Sequence, residues 1–170
     1  MTEDSAQSRP IADAPRTAAI LLIGALVIGT LDSVYAMMFW HFKAGVTPTR
    51  IFQSVAAGFY GKASFTGGAR TAVVGAALHY FISLCIVLVY WLASRRFRAL
   101  TDRPILGGAI YGVLVYFVMN YVVIPLSATQ RGKFLFSWVA LTTVVHAFLI
   151  GVPAALASRR AVDLTVKAGR

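Results

Sequence analysis

Four apolar runs in this chain, each long enough to cross a bilayer, carry one strongly polar residue apiece at nearly the same depth: Asp32, His79, Asn120 and His146. At 1.5 Å per residue, about 20 helical residues cover the hydrocarbon of a membrane. Backbone in lipid must satisfy its own hydrogen bonds, which leaves helices or closed barrels. The apolar residues come in continuous runs rather than in alternation, so helices are the reading. Only 13% of the 170 residues are charged and 58% are hydrophobic, against about 25% charged in a soluble domain. The expected fold is all-α: an integral membrane four-helix bundle in one domain.

The spans are expected at 17–40, 71–93, 105–127 and 137–157, with a polar tail at 1–16 and a second tail at 161–170. The first run continues through Met37, Met38, Phe39 and Trp40 and is preceded by acids, so it reads as a retained span rather than a cleaved leader. Pro125 and Pro153 fall inside the third and fourth spans, where they free backbone carbonyls and kink or end a helix. Trp40, Trp91 and Trp138 fall near span ends, as indole rings at a membrane interface do.

Between the first two spans, Thr47 and Pro48 form an N-cap and first-turn pair. Ile51, Phe52, Val55 and Phe59 recur at helical spacing with Arg50 and Gln53 off that face, and Gly61 is a terminator. The pattern predicts a short amphipathic helix over 48–60, lying in the membrane interface or packed as a cap on the bundle.

The net charge of +10 does not indicate nucleic acid, because the basic residues sit between the apolar runs. Arg9, Arg16, Arg95, Arg96, Arg98, Arg103, Arg159, Arg160, Lys167 and Arg170 collect on one side. Lys43, Arg50, Lys62, Arg70, Arg131 and Lys133 collect on the other. The positive-inside rule places both termini in the cytoplasm, and the lipid bilayer is the expected partner. Cys85 is the single cysteine, so an intrachain disulfide has no second thiol.

With that orientation, Asp32, His79, Asn120 and His146 all lie roughly 10–14 Å below the outer boundary. Polar groups in hydrocarbon face a partner, a cavity or a cofactor, and several readings follow. The four can hydrogen-bond one another and fix helix register, at about 0.6–2 kcal/mol per contact. They can bind a small polar ligand or carry a proton, with hydroxyls such as Ser33, Tyr35, Ser83 and Tyr121 nearby. His79 and His146 can ligate a b-type haem, with Gly75 giving a porphyrin edge room one turn from His79. His79, His146 and Asp32 can bind a divalent metal, since two imidazoles and a carboxylate suit zinc or iron. The best statement is a non-enzymatic integral membrane protein. A haem- or metal-binding redox subunit, and an accessory or scaffold subunit of a larger membrane complex, are the alternatives. Phosphate-cradling loops, dinucleotide fingerprints and nucleophile elbows are missing. Small-residue steps at Ala25 and Gly29, Ala72 and Ala76, and Gly108 and Gly112 serve close packing inside the bundle or in a homo-oligomer.

The segment Thr47 to Gly61, the stretch Leu78-His79-Tyr80-Phe81-Ile82-Ser83, and the two proline-bearing segments Asn120 to Ser127 and His146 to Pro153 carry a resemblance. Over about residues 15–160 the chain resembles a group of small, uncharacterised bacterial inner-membrane proteins. The resemblance implies a four-span bacterial inner-membrane protein and no particular activity.

Overall fold

The computed structural model describes residues 9–129 and 135–168, with side chains for 14–129 and 135–164. Expectations for residues 1–8, Arg131, Lys133 and Arg170 lie outside the described residues. All regular structure among the described residues is helical, and four helices are long and apolar enough to cross a membrane.

Helix α1 runs Arg9–Ala44. Residues 9–16, expected in the tail, are its first turns. Pro10 suits a first turn with its fixed φ, and the alanines that follow favour helix. At the other end, His41, Phe42 and Lys43 extend the helix past Trp40. Gly45, in the left-handed region at φ 64°, then turns the chain, its N–H still donating to the His41 carbonyl at 2.8 Å.

Helix α2 is Pro48–Tyr60, with the Thr47 hydroxyl accepting from the Arg50 N–H at 3.4 Å and Gly61 closing it. Its packed face carries Gln53 and small residues. The buried residues are Gln53, Ala56 and Ala57, while Phe59 is 74% exposed. The cause is a close crossing with α3, Gly68–Arg96. A Cβ on Gly75 would overlap the Phe52 carbonyl, so only small residues let the two backbones meet there. Gln53 bridges the elements, donating to the Gly68 carbonyl at 3.0 Å, and Ser64 donates to the Gln53 carbonyl.

A short helix, α4 (Ala99–Asp102), leads to α5 (Pro104–Val118), and the third span continues through a π-helical turn, Met119–Val123, into α6, Ile124–Leu126. The fourth span joins α7 (Phe136–Val145), a second π-helical segment (His146–Gly151) and α8, Val152–Ala168. Residues 161–168, expected as tail, therefore prolong α8. Ala161 belongs to the core with Leu21, Ala25 and Ile28 of α1, Val87 of α3, and Ile150 and Ala154 of the fourth span.

The fourth span is the hub: α8 packs on α1, α3 and α5, and the second π segment packs on α5. That contact is glycine against glycine. A Cβ on Gly108 would lie 2.6 Å from the Gly151 carbonyl oxygen, and one on Gly112 would overlap the His146 carbonyl. The Gly108 and Gly112 step is thus used within the chain. Large apolar side chains such as Ile23, Val73, Phe81, Ile110 and Phe148 point outward. Outward apolar surface on four long helices fits an integral, multi-pass membrane protein.

Candidate functional site

The bundle is dense at its base, where α1 starts and α8 ends, and opens near its top, where α2 crosses. The opening is a cavity of about 280 Å³, and Asp32, His79, Asn120 and His146 all line it. The four residues come from four different spans, so the shared depth inferred from spacing corresponds to a shared space. Ile28, Ile86 and Ile150 form its floor toward the base, Trp40 and Trp138 line it toward the top, and Phe52 and Val55 of α2 close one side.

The polar groups do not bond to one another among the described residues. His79 Nε2 donates to the Gly29 carbonyl of α1 at 2.8 Å. A carbonyl only accepts, so Nε2 carries the proton and Nδ1 keeps its lone pair in the neutral ring. His146 is the mirror case: Nδ1 donates to the Thr142 carbonyl one turn earlier at 3.0 Å, which leaves Nε2 as the acceptor. Asn120 Nδ2 donates to the Tyr116 carbonyl at 2.9 Å and keeps its own carbonyl oxygen. The Asp32 carboxyl lines the same cavity and makes no hydrogen bond to His146 or Tyr35 among the described residues. The expectation that the four groups lock register by bonding one another is therefore corrected. His79, Asn120 and His146 each spend one N–H on a backbone carbonyl, and of these three bonds only that of His79 joins two spans.

Local backbone explains how two of these side chains are placed. Pro125 and Pro153 have no N–H for the carbonyls four residues earlier, and their rings crowd those carbonyls. In both spans the chain takes one wider turn just ahead of the proline. Ile124 N–H reaches the Met119 carbonyl, and Val152 N–H reaches the Ala147 carbonyl, five residues back in each case. Asn120 lies in the first π turn and His146 opens the second. Such turns recur where a helix must aim a side chain at a site.

Rings surround the layer. Trp138 stacks on Tyr35 with centroids 5.5 Å apart and meets Phe39 at 4.8 Å and Trp40 at 5.2 Å. The Tyr35 hydroxyl shares a 3.1 Å hydrogen bond with the Thr142 hydroxyl. His79 meets Phe52 edge to face at 6.3 Å, and His146 meets Tyr116 at 5.5 Å.

The cofactor readings fit poorly. Gly75, expected to make room for a porphyrin edge, is filled by the backbone of α2 at Phe52. His79 offers Nδ1 rather than Nε2, and the cavity is at the lower limit of the roughly 300–1,000 Å³ typical of sites for drug-sized ligands. For a metal, no group of three His, Cys, Asp or Glu side chains stands close enough to hold an ion among the described residues, so the Asp32, His79 and His146 ligand set does not assemble.

Ser33 and Ser83 line the cavity as expected, whereas Tyr121 is 64% exposed and turned away from it. Sequence reasoning missed Thr142, and it read Trp40 and Trp138 as interface markers rather than walls. A signal for Thr142 was present, since it lies one helical turn from His146 on the same face. No family model, curated protein or solved structure matches this chain.

Proposed function

We propose that this chain is a non-enzymatic, four-span protein of a bacterial inner membrane, with both termini cytoplasmic, that binds a small polar solute in the cavity between its spans. One observation carries the reading: four polar residues from four spans face one cavity, and the hydrogen bonds of His79, Asn120 and His146 go to backbone carbonyls rather than to one another. Polar groups kept only for packing would bond across the spans, and of these three only His79 does. These instead keep acceptors turned to an enclosed space, with room for several waters or a ligand of a few heavy atoms. The excess of Arg at the base supports cytoplasmic termini. The cavity then opens toward the outer face, and α2 lies over it at the membrane surface.

Thiol accessibility tests this. In a Cys85→Ser background, Ser33→Cys and Ser83→Cys place a thiol on the cavity wall, and Ala154→Cys places one in the sealed core. A membrane-impermeant thiosulfonate added to spheroplasts is expected to label the first two and spare the third. Wall cysteines that stay unlabelled from outside, or label only in inverted vesicles, would refute the reading.

A further inference from the structure

We infer that the cavity selects a small organic cation, a protonated primary amine of a few carbons. This rests on the reading of the cavity as a binding site and adds the chemistry of what enters it. Four residues that line it carry acceptors: the Asp32 carboxylate, the Asn120 carbonyl oxygen, Nδ1 of His79 and Nε2 of His146. One N–H of Asn120 and the N–H of each histidine are bonded to the carbonyls of Tyr116, Gly29 and Thr142. The hydroxyls of Ser33 and Ser83 are likewise turned to backbone carbonyls, of Thr30 and His79. Among these residues acceptors outnumber the one N–H left over, the second of Asn120, which favours a ligand that brings donors.

Charge points the same way. Among the described residues, no Lys or Arg lines the cavity beside Asp32. A carboxylate at this depth calls for a positive charge to offset its own, and –NH₃⁺ supplies one together with three donors. The indole rings of Trp40 and Trp138 and the ring of Phe52 line the same space, and aromatic faces attract ammonium groups. The isoleucine floor suits a short alkyl tail. A carboxylate or phosphate ligand would meet four acceptors and like charge.

The probes are n-propylammonium, propan-1-ol and propionate, similar in size and different in charge. Binding is measured by calorimetry on the full chain in nanodiscs. Propylammonium is expected to bind one per chain, at least tenfold tighter than the other two. Asp32→Asn is expected to weaken it tenfold or more. Asn120→Asp, which adds a second carboxylate, is expected to tighten it, and this variant keeps the inference falsifiable should Asp32→Asn fail to fold. Equal or tighter binding of the alcohol or the acid would overturn the cation assignment while leaving a binding cavity. So would an unchanged affinity in Asp32→Asn, a weaker one in Asn120→Asp, or no binding of any probe to a protein whose Ser33→Cys is labelled from outside. Sealed wall cysteines would instead refute the binding cavity itself.

Discussion

Gly112 of α5 lies so close to the carbonyl of His146 that a Cβ there has no room. The polar residue of the fourth span is thus fixed through its backbone by a glycine of the third. Gly112→Ala pits two effects against each other. Alanine is the better helix former by about 1 kcal/mol, but the added methyl meets backbone, which cannot rotate away. Overpacking of that kind costs about 1–3 kcal/mol. The clash is expected to win, giving a lower melting temperature in detergent and a displaced His146. An unchanged melting temperature would show that the two spans separate freely.

The equivalent contact on α2 is Gly75 against the Phe52 carbonyl. Gly75→Leu is expected to lift α2 from α3 and leave the four spans in place, because the α1 and α8 contacts with α3 lie elsewhere along the helix. Labelling of Ser83→Cys should then accelerate, while circular dichroism stays helical. Unaltered labelling would mean that α2 does not cover the cavity.

The two histidines should differ in what they hold. His79 bonds across spans to Gly29, whereas His146 bonds to its own helix at Thr142. His79→Phe removes an interhelical hydrogen bond, expected to cost about 0.6–2 kcal/mol. His146→Phe removes none between spans, so its stability loss should be smaller. Thermal melts of both variants in the same detergent check the order, and a reversed order would contradict the bonding scheme.

Much of this arrangement was readable from residue types and spacing, and the limits of that reading have physical causes. The four polar residues were found because charge or amide in an apolar run stands out. The bounds of α2 followed from Thr47, Pro48 and Gly61. Its packed face was not readable, because a close helix crossing selects small side chains, and Ala56 and Ala57 fit against α3. Pro125 and Pro153 announced irregular backbone without saying that it would take the form of a wider turn. The hydrogen-bond partners were illegible, since Gly29, Thr142 and Tyr116 contribute only carbonyls, which every residue has. Gly75 was read as space, and the structure fills it with another helix.

Trp138 is expected to be the residue whose loss couples stability to access. Its indole touches Tyr35, Phe39 and Trp40 of α1, so it ties the top of the fourth span to the first. Aromatic pairs contribute about 0.5–1.5 kcal/mol each beyond the area they bury, and truncating a packed Trp to Ala costs about 3–5 kcal/mol. Trp138→Ala should therefore lower the melting temperature more than either histidine variant. The same ring lines the top of the cavity, so its removal should also speed labelling of Ser33→Cys from the outer face. Trp138→Phe keeps an aromatic face and should recover most of the stability and much of the protection. If Trp138→Ala melts early but leaves Ser33→Cys labelling at its original rate, the cluster joins two spans without guarding the cavity, and the ligand must enter elsewhere, between α2 and the third span.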